Sequence, residues 1–542
     1  MKTLIKQSWF VYSFFIGLGF LLYYKVLYLG FFSDDYHMLS VVASGKAWWQ
    51  YLYHNIVGER GGGTYAPLQS ILFLLQYKLF SYHAFWFHVV SVYLYSSSAY
   101  LVYRIVYRLS YSTILSCVSG IYFISLHIHL SALAWVAVQP HILATFFFLV
   151  SWYCYIVFRQ DNKKSYLYVS IVAILCSLLS KEIALFFVAV FFVTDILFFC
   201  PSFQKTYVNT LIRNMAVYAV LIISFLYIRF LVVGYVFGYY AVERVSFDIS
   251  RVFFRVSEYI VSMFLSMPYR MYMMTWYEIH SVMVWLLVII CLIVVIVLSR
   301  IHRRIILLSV ISFAVMSIPF WSVQLHPFNN GGERYSYLLS VFFVIALTTI
   351  IYALSYRFRH GLWYFTIVML CIIATSLFQL FPKFSYWEDA KSMRDTIIAD
   401  FDLFDVDPLD FIIVTALPDN IYGAELMRNA LGEMIAIESK HGFINVERMP
   451  FYTEFNKKPD TRLVTFHRDE NKLSLEAGTA RIFTGFGYFE HESGKYSMRD
   501  FKKVGSSGTA IDIDMDSDFF EQYGQVYLAY FDGMHMEFMS LK

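Results

Sequence analysis

Apolar runs long enough to cross about 30 Å of hydrocarbon recur along the first two thirds of the chain, each closed by a short polar or aromatic segment. The windows lie at 9–29, 85–103, 112–130, 139–158, 166–180, 183–199, 215–233, 281–298, 305–321, 336–354 and 362–380, which predicts about eleven transmembrane helices. The pattern changes after residue 380. Segment 387–404 reads as a helix, 411–415 as a buried strand, and 420–437 as a helix following a turn at Leu417-Pro418-Asp419-Asn420. Segments 462–467, 480–489 and 526–531 read as strands. The expected architecture is an α-helical multi-span membrane domain over 1–381 and a small mixed α/β domain over 382–542.

The connection between the first two windows is roughly fifty residues long, far beyond an ordinary loop, which favours a functional segment. Within the 31–84 loop, residues 38–53 mix apolar positions and the pair Trp48 and Trp49 with Lys46 and Gln50, and 67–80 is a short apolar helix. Both are expected to lie along the membrane interface. Between them Gly58-Glu59-Arg60-Gly61-Gly62-Gly63-Thr64 is too short and irregular for a nucleotide fingerprint. It reads as a flexible connector in which Arg60 is a candidate anion contact.

Composition agrees with the pattern. In 542 residues, 59% are hydrophobic and 15% charged, with a mean hydropathy of +0.57, which excludes a soluble globular protein. Aromatics reach 20%, and many stand at the ends of apolar runs as interface anchors. The N-terminal run after Lys2 and Lys6 has no small-residue cleavage site, so a retained first helix is expected. The six cysteines fall within or beside spans, with no metal-ligand spacing and no disulfide framework. There is no nucleic-acid signature and no internal repeat.

Charge orients the chain. With the N terminus cytoplasmic, the inward loops carry Lys2 and Lys6, Arg104 and Arg108, Arg159 with Lys163 and Lys164, Lys205 and Arg213, Arg300 with Arg303 and Arg304, and Arg357 with Arg359. Each short inward loop is basic, as the positive-inside rule requires, and an odd number of spans then places the C-terminal domain outside. The net charge of +3 conceals a basic membrane part and an acidic remainder, a difference that marks the domain boundary.

This orientation gathers the unusual polar residues on the outer side. Asp34 and Asp35 follow the first window directly, where one carboxylate can face a reacting group while its neighbour orients it, holds a cation or caps a helix. Lys181 and Glu182 stand between two apolar runs as an ion pair, either at a hairpin corner or in a site. His127, His129 and His141 are core, interface or ligand histidines. Glu333, Arg334 and Tyr335 precede a window, with Gly331 and Gly332 before them and His326 nearby. Asp195, deeper in a span, is expected to pair with another helix.

Four ordered motifs carry a resemblance: Ser33-Asp34-Asp35-Tyr36; His129 with Ala134-Trp135-Val136 and Leu143-Ala144-Thr145; Leu179-Ser180-Lys181-Glu182; and Gly332-Glu333-Arg334-Tyr335-Ser336-Tyr337-Leu338. Together they resemble the GT-C glycosyltransferases, multi-span enzymes that take sugar from a polyprenyl-phosphate donor, and most of all protein O-mannosyltransferases and the membrane part of transmembrane-and-tetratricopeptide proteins. Ala66, Ser131, Gln139 and His141 depart from the common pattern, and no tetratricopeptide array follows, which leaves sugar and acceptor open. The resemblance implies a GT-C-like fold in a bacterial inner membrane with a periplasmic C-terminal domain. It implies inverting transfer to a hydroxyl of a protein, lipid or glycan. Asp34 and Asp35 would be the catalytic pair, with or without a divalent cation, and no other cofactor is implied. Lys181, Arg334 and Arg60 would meet the donor phosphate, with Tyr36, Tyr65, His129, His141, Glu182, His326, Glu333 and Tyr335 supporting them. Against this stands a transporter that binds a lipid-linked sugar without cleaving it, which would favour broken mid-membrane segments and repeated halves.

Overall fold

The computed structural model describes residues 2–52, 65–200, 205–234, 249–267, 269–298, 302–321, 323, 325, 330–448, 451–455, 458–462, 464–469, 472–477, 481–484, 496–504, 508–515 and 523–541. The chain divides into two compact units. One comprises Met1–Tyr28, Val42–Phe328 and Gly332–Lys383; the other comprises Leu29–Val41, Asn329–Gly331 and Phe384–Lys542.

The first unit is helical. Among the described residues, eight helices are long and apolar enough to cross a membrane: Ser8–Tyr28, Ala84–Ser110, Val136–Asp161, Glu182–Phe199, Val208–Val233, Arg303–Phe320, Glu333–Ser355 and Gly361–Leu403. A bent pair, Thr113–Ile124 with His127–Ala134, adds a ninth if it is one span. Helices Lys164–Ser180 and Tyr269–Leu298 cover the other two expected windows. The protein is therefore a multi-pass membrane protein. The short helix Pro67–Phe80 and the 3-10 turn Trp48–Leu52 occupy the long connection.

Burial separates central from peripheral spans. The apolar window of Val136–Asp161 is 72% buried and that of Glu333–Ser355 is 67% buried, whereas Val208–Val233 is 17% buried and turns its apolar surface outward. A helix that is apolar all round yet largely exposed suits lipid as its solvent. Hydroxyl pairs join the central helices, as at Ser119 with Thr348 (2.8 Å) and Ser151 with Ser170 (3.0 Å). Asp195 is fully buried and held by Arg159 at 2.9 Å and the Tyr155 hydroxyl at 2.7 Å, both on the helix Gln139–Asp161, as expected for a structural carboxylate.

The bend of 44° after Ile124 leaves carbonyls that a continuous helix would have used. In hydrocarbon each would cost several kcal/mol, so it must find a partner inside the protein. Tyr95 donates to the Ile124 carbonyl at 2.9 Å, Tyr23 to those of Ile124 and Leu126, and Ser376 to that of Ser125 at 2.8 Å. Ser376 also accepts the His127 N–H at 3.1 Å. Tyrosines and a serine thus hold the break that turns His127 and His129 inward.

Among its described residues the second unit carries twelve strands in three four-stranded sheets. β1 (Phe411–Thr415) lies between β11 (Val526–Phe531) and β4 (Asn445–Arg448), parallel to both, and β12 (Met536–Ser540) pairs antiparallel with β11. β2 (Leu417–Ile421) runs parallel to β5 (Phe451–Phe455) and antiparallel to β3 (Ala424–Glu425); β8 (Arg481–Thr484) completes that sheet. β6 (Val464–Asp469), β7 (Lys472–Ala477), β10 (Gly508–Met515) and β9 (Tyr496–Val504) form an antiparallel sheet in that order.

Leu417–Ile421 is a strand, not a turn, and the helix expected over 420–437 is confined to Leu431–Glu438. Pro418 signals a turn locally, but it stands where the pairing with β5 shifts register, so its missing N–H interrupts no regular ladder. Residues between the strand and the helix form a reversal with Tyr422 and Gly423 at positive φ. Gly423 is required there, because a Cβ would run into the backbone of Asn330 and Gly331.

Candidate functional site

Asp34 and Asp35 both fall in the first turn of the helix Asp34–Ala43, where carboxylates complement the helix dipole. Their surroundings differ. Asp35 is 0% exposed, and its Oδ2 accepts the Phe32 N–H at 2.9 Å, tying the helix start to the turn before it. That is the capping role. Asp34 is only half-buried; its Oδ1 accepts from the Asn429 side-chain amide at 2.7 Å, and its Oδ2 has no hydrogen-bond partner among the described residues. The same helix meets the helix Leu431–Glu438 through the Tyr36 hydroxyl, which donates to Glu438 Oε1 at 3.2 Å, and through His37 beside Glu433, also at 3.2 Å. Burial holds the Tyr36 phenol well above its usual pKa, so it stays a neutral donor.

Arg394 also holds this segment. It donates to the carbonyls of Phe31 at 2.7 Å and Leu29 at 3.3 Å, and Gly30, at φ 87°, leaves room for the guanidinium.

In the first unit, Lys181 ends the helix Lys164–Ser180 in an extended conformation. Its neighbour Glu182 does not serve as its ion-pair partner. Glu182 Oε1 accepts from Arg229 Nε and from the Tyr65 N–H, both at 2.8 Å, and Arg229 is itself 0% exposed. Adjacent residues at a helix end point apart, so Glu182 answers the buried arginine while the Lys181 ammonium makes no hydrogen bond among the described residues. Tyr65 is fixed further by donating its hydroxyl to the Leu52 carbonyl at 2.6 Å.

Lys181 lies within electrostatic reach of Arg334, Tyr335 and His141. The Arg334 guanidinium stacks over Trp135 at 4.8 Å and Tyr335 at 5.0 Å, and the His141 ring meets Tyr335 edge-on at 5.9 Å. Burial, with Arg334 acting in the same direction, holds the Lys181 ammonium below the usual lysine pKa, against the opposing pull of Tyr335 and Glu182. The structure thus groups Lys181, Arg334, Tyr335 and His141, with Glu182 and Tyr65 anchoring the backbone beside them.

Glu333 turns to a different set. Its Oε2 accepts from Lys383 Nζ at 2.5 Å, and Arg270 lies 3.6 Å from Oε1. Lys383 also donates to His127 Nδ1 at 2.9 Å; because an ammonium only donates, Nδ1 must be the acceptor and the proton sits on Nε2. All four side chains are buried. Sequence reasoning passed over Lys383 and Arg270, although an ionisable residue just past an apolar window was a signal for Lys383. His129 has both ring nitrogens engaged, with Tyr95 and Ser340, each at 2.8 Å, which makes it part of the bend.

Arg60 and His326 lie outside the described residues. No group of three or more His, Cys, Asp or Glu among the described residues could hold a metal ion.

No family model and no curated protein matches the sequence. Two solved structures are similar to it over most of its length. ArnT from Cupriavidus metallidurans bound to undecaprenyl phosphate is 9% identical, covers 84% of this chain and 96% of its own, and gives a TM-score of 0.42. The apo state of ArnT from the same organism is 10% identical, with 86% and 97% coverage and a TM-score of 0.43.

Proposed function

We propose that the protein is a GT-C-type inverting glycosyltransferase that moves a sugar from a polyprenyl-phosphate donor to an acceptor hydroxyl on the outer membrane face. The observation that carries this reading is Lys181: a half-buried cation beside Arg334, at the end of a membrane helix, whose neighbouring carboxylate is committed elsewhere. Such a pair suits a phosphate, which arginine binds through parallel donors and lysine as a point charge.

In the proposed reaction the acceptor oxygen attacks the anomeric carbon as the bond from that carbon to the phosphate oxygen breaks. The departing lipid phosphate keeps the bonding pair and gains a negative charge, a charge that Lys181 and Arg334 of the first unit suit; the acceptor proton goes to a carboxylate, for which Asp34 Oδ2 of the second unit is our candidate. Asp35 keeps the helix start in place. The lipid class is the one bound in the ArnT crystal structure, but the proposal rests on this chain's own groups.

The transporter alternative is less well supported. It needs polar backbone open to substrate in a broken segment, and the carbonyls at the bend after Ile124 are already taken by Tyr23, Tyr95 and Ser376. The test is sugar release from radiolabelled polyprenyl-phosphate sugars by the purified chain with acceptor supplied. Transfer supports the enzyme; saturable donor binding without cleavage under any acceptor tried moves the transporter ahead.

Lys181 adds a pH prediction. A lysine with a lowered pKa loses its proton sooner than an ordinary lysine as pH rises, so donor affinity is present below that pKa and lost above it. Donor binding should weaken by about tenfold between neutral pH and pH 10 in the native chain and by much less in Lys181→Arg, which keeps its charge. Parallel curves for the two proteins would remove Lys181 from the phosphate site.

A further inference from the structure

We infer that Asn429 is a positioning residue for Asp34, so that the segment Leu426–Asn429 of the C-terminal domain belongs to the catalytic apparatus; this rests on Asp34 being the general base. Three bonds join that segment to the two residues that matter. The Asn429 side-chain amide donates to Asp34 Oδ1 at 2.7 Å, the Asn429 backbone N–H donates to Ser33 Oγ at 3.1 Å, and the Ser33 N–H donates to the Leu426 carbonyl at 3.0 Å.

Ser33 needs such support. Its φ of 46° places a non-glycine residue in the left-handed region, an unfavourable conformation that persists only where the surroundings over-determine it. The residue immediately before the proposed base is thus held in an unfavourable backbone conformation by hydrogen bonds from residues nearly four hundred positions away.

The segment is itself fixed. Leu426 and Met427 donate to the carbonyls of Asp419 and Pro418 at 2.9 and 3.1 Å. Arg428 grips Asp419 with two donors, Nε to Oδ1 at 2.6 Å and a terminal nitrogen to Oδ2 at 2.7 Å, and Asp419 is 0% exposed on β2. A rigid strand therefore carries a two-point ion pair, the ion pair carries Asn429, and Asn429 occupies one oxygen of Asp34. That arrangement selects which Asp34 oxygen faces the acceptor. The Asn429 amide orients the carboxylate through a hydrogen bond without adding charge, while the Arg428 guanidinium, also within electrostatic reach of Asp34, is committed to Asp419.

The experiment measures turnover per bound donor, with donor-binding stoichiometry counting the folded molecules, for the full chain and for Asn429→Ala, Asn429→Asp and Asp34→Asn. Loss of orientation at a reacting group costs about 10- to 100-fold. Asn429→Ala should lose that much in kcat while the donor KM stays within about twofold. The isosteric Asn429→Asp, which cannot donate when ionised and faces Asp34 with a like charge, should lose at least as much; it guards against a folding defect in the alanine variant. Native kcat per bound donor in both Asn429 variants, with Asp34→Asn inactive, overturns the positioning role and leaves the base reading intact. Native turnover in Asp34→Asn defeats the base reading, and this inference with it.

Discussion

Asp34→Asn is expected to lower turnover by about 10² to 10⁴-fold while donor binding and thermal stability stay near native. The amide keeps an oxygen to accept from Asn429, so the local hydrogen bond survives, but it cannot take the acceptor proton. The neighbouring carboxylate behaves oppositely. Asp35→Ala removes the acceptor for the Phe32 N–H and should cost about 0.5 to 2 kcal/mol of stability, the usual range for a lost cap, with turnover per folded molecule reduced by only a few fold. Kinetics and thermal melts on the two variants separate the roles. An Asp35 variant that is stable but dead, beside an active Asp34 variant, would exchange them.

Glu333→Gln should be the most damaging substitution in the first unit. It leaves Lys383 and Arg270 buried beside a neutral amide, and breaking a buried pair by removing one partner costs about 3 to 5 kcal/mol. The variant should show a markedly lower melting temperature in detergent, and Lys383→Met added to it should recover part of the loss, because one uncompensated charge is then gone. Additive losses in the double variant would mean that Glu333 and Lys383 act independently. The His127 ring is affected as well: with Met at 383 its Nδ1 loses its donor, so recovery should be incomplete.

Much of the membrane part was legible. A span must be long and continuously apolar, and both properties are local, so each expected window fell on a helix even where it bends, as after Ile124. Asp195 was read as structural and is held by Arg159 and Tyr155. Less could be read after residue 403. Leu417–Ile421 is turn-like in composition and became a strand because β5 pairs with it, a partner more than thirty residues further on.

The candidate site shows the same division. Residue types and their places at the ends of spans singled out Asp34, Asp35, Lys181, Glu182, Glu333 and Arg334. Their partners were not readable. Lys181-Glu182 looks like an ion pair in sequence, yet Glu182 binds Arg229, 47 positions on; Glu333 binds Lys383, 50 positions on; and Asp34 binds Asn429, 395 positions on.

The sequence by itself determined that this is a multi-pass membrane protein with a strand-bearing C-terminal region, because hydrocarbon imposes length and apolarity residue by residue. Tertiary structure alone decided which carboxylates are spent on structure and which keep a free oxygen, and which cation has no hydrogen-bonded carboxylate among the described residues. In a low-dielectric interior the partner of a charge is whichever group the fold brings within about 3 Å, and adjacency along the chain carries little of that information.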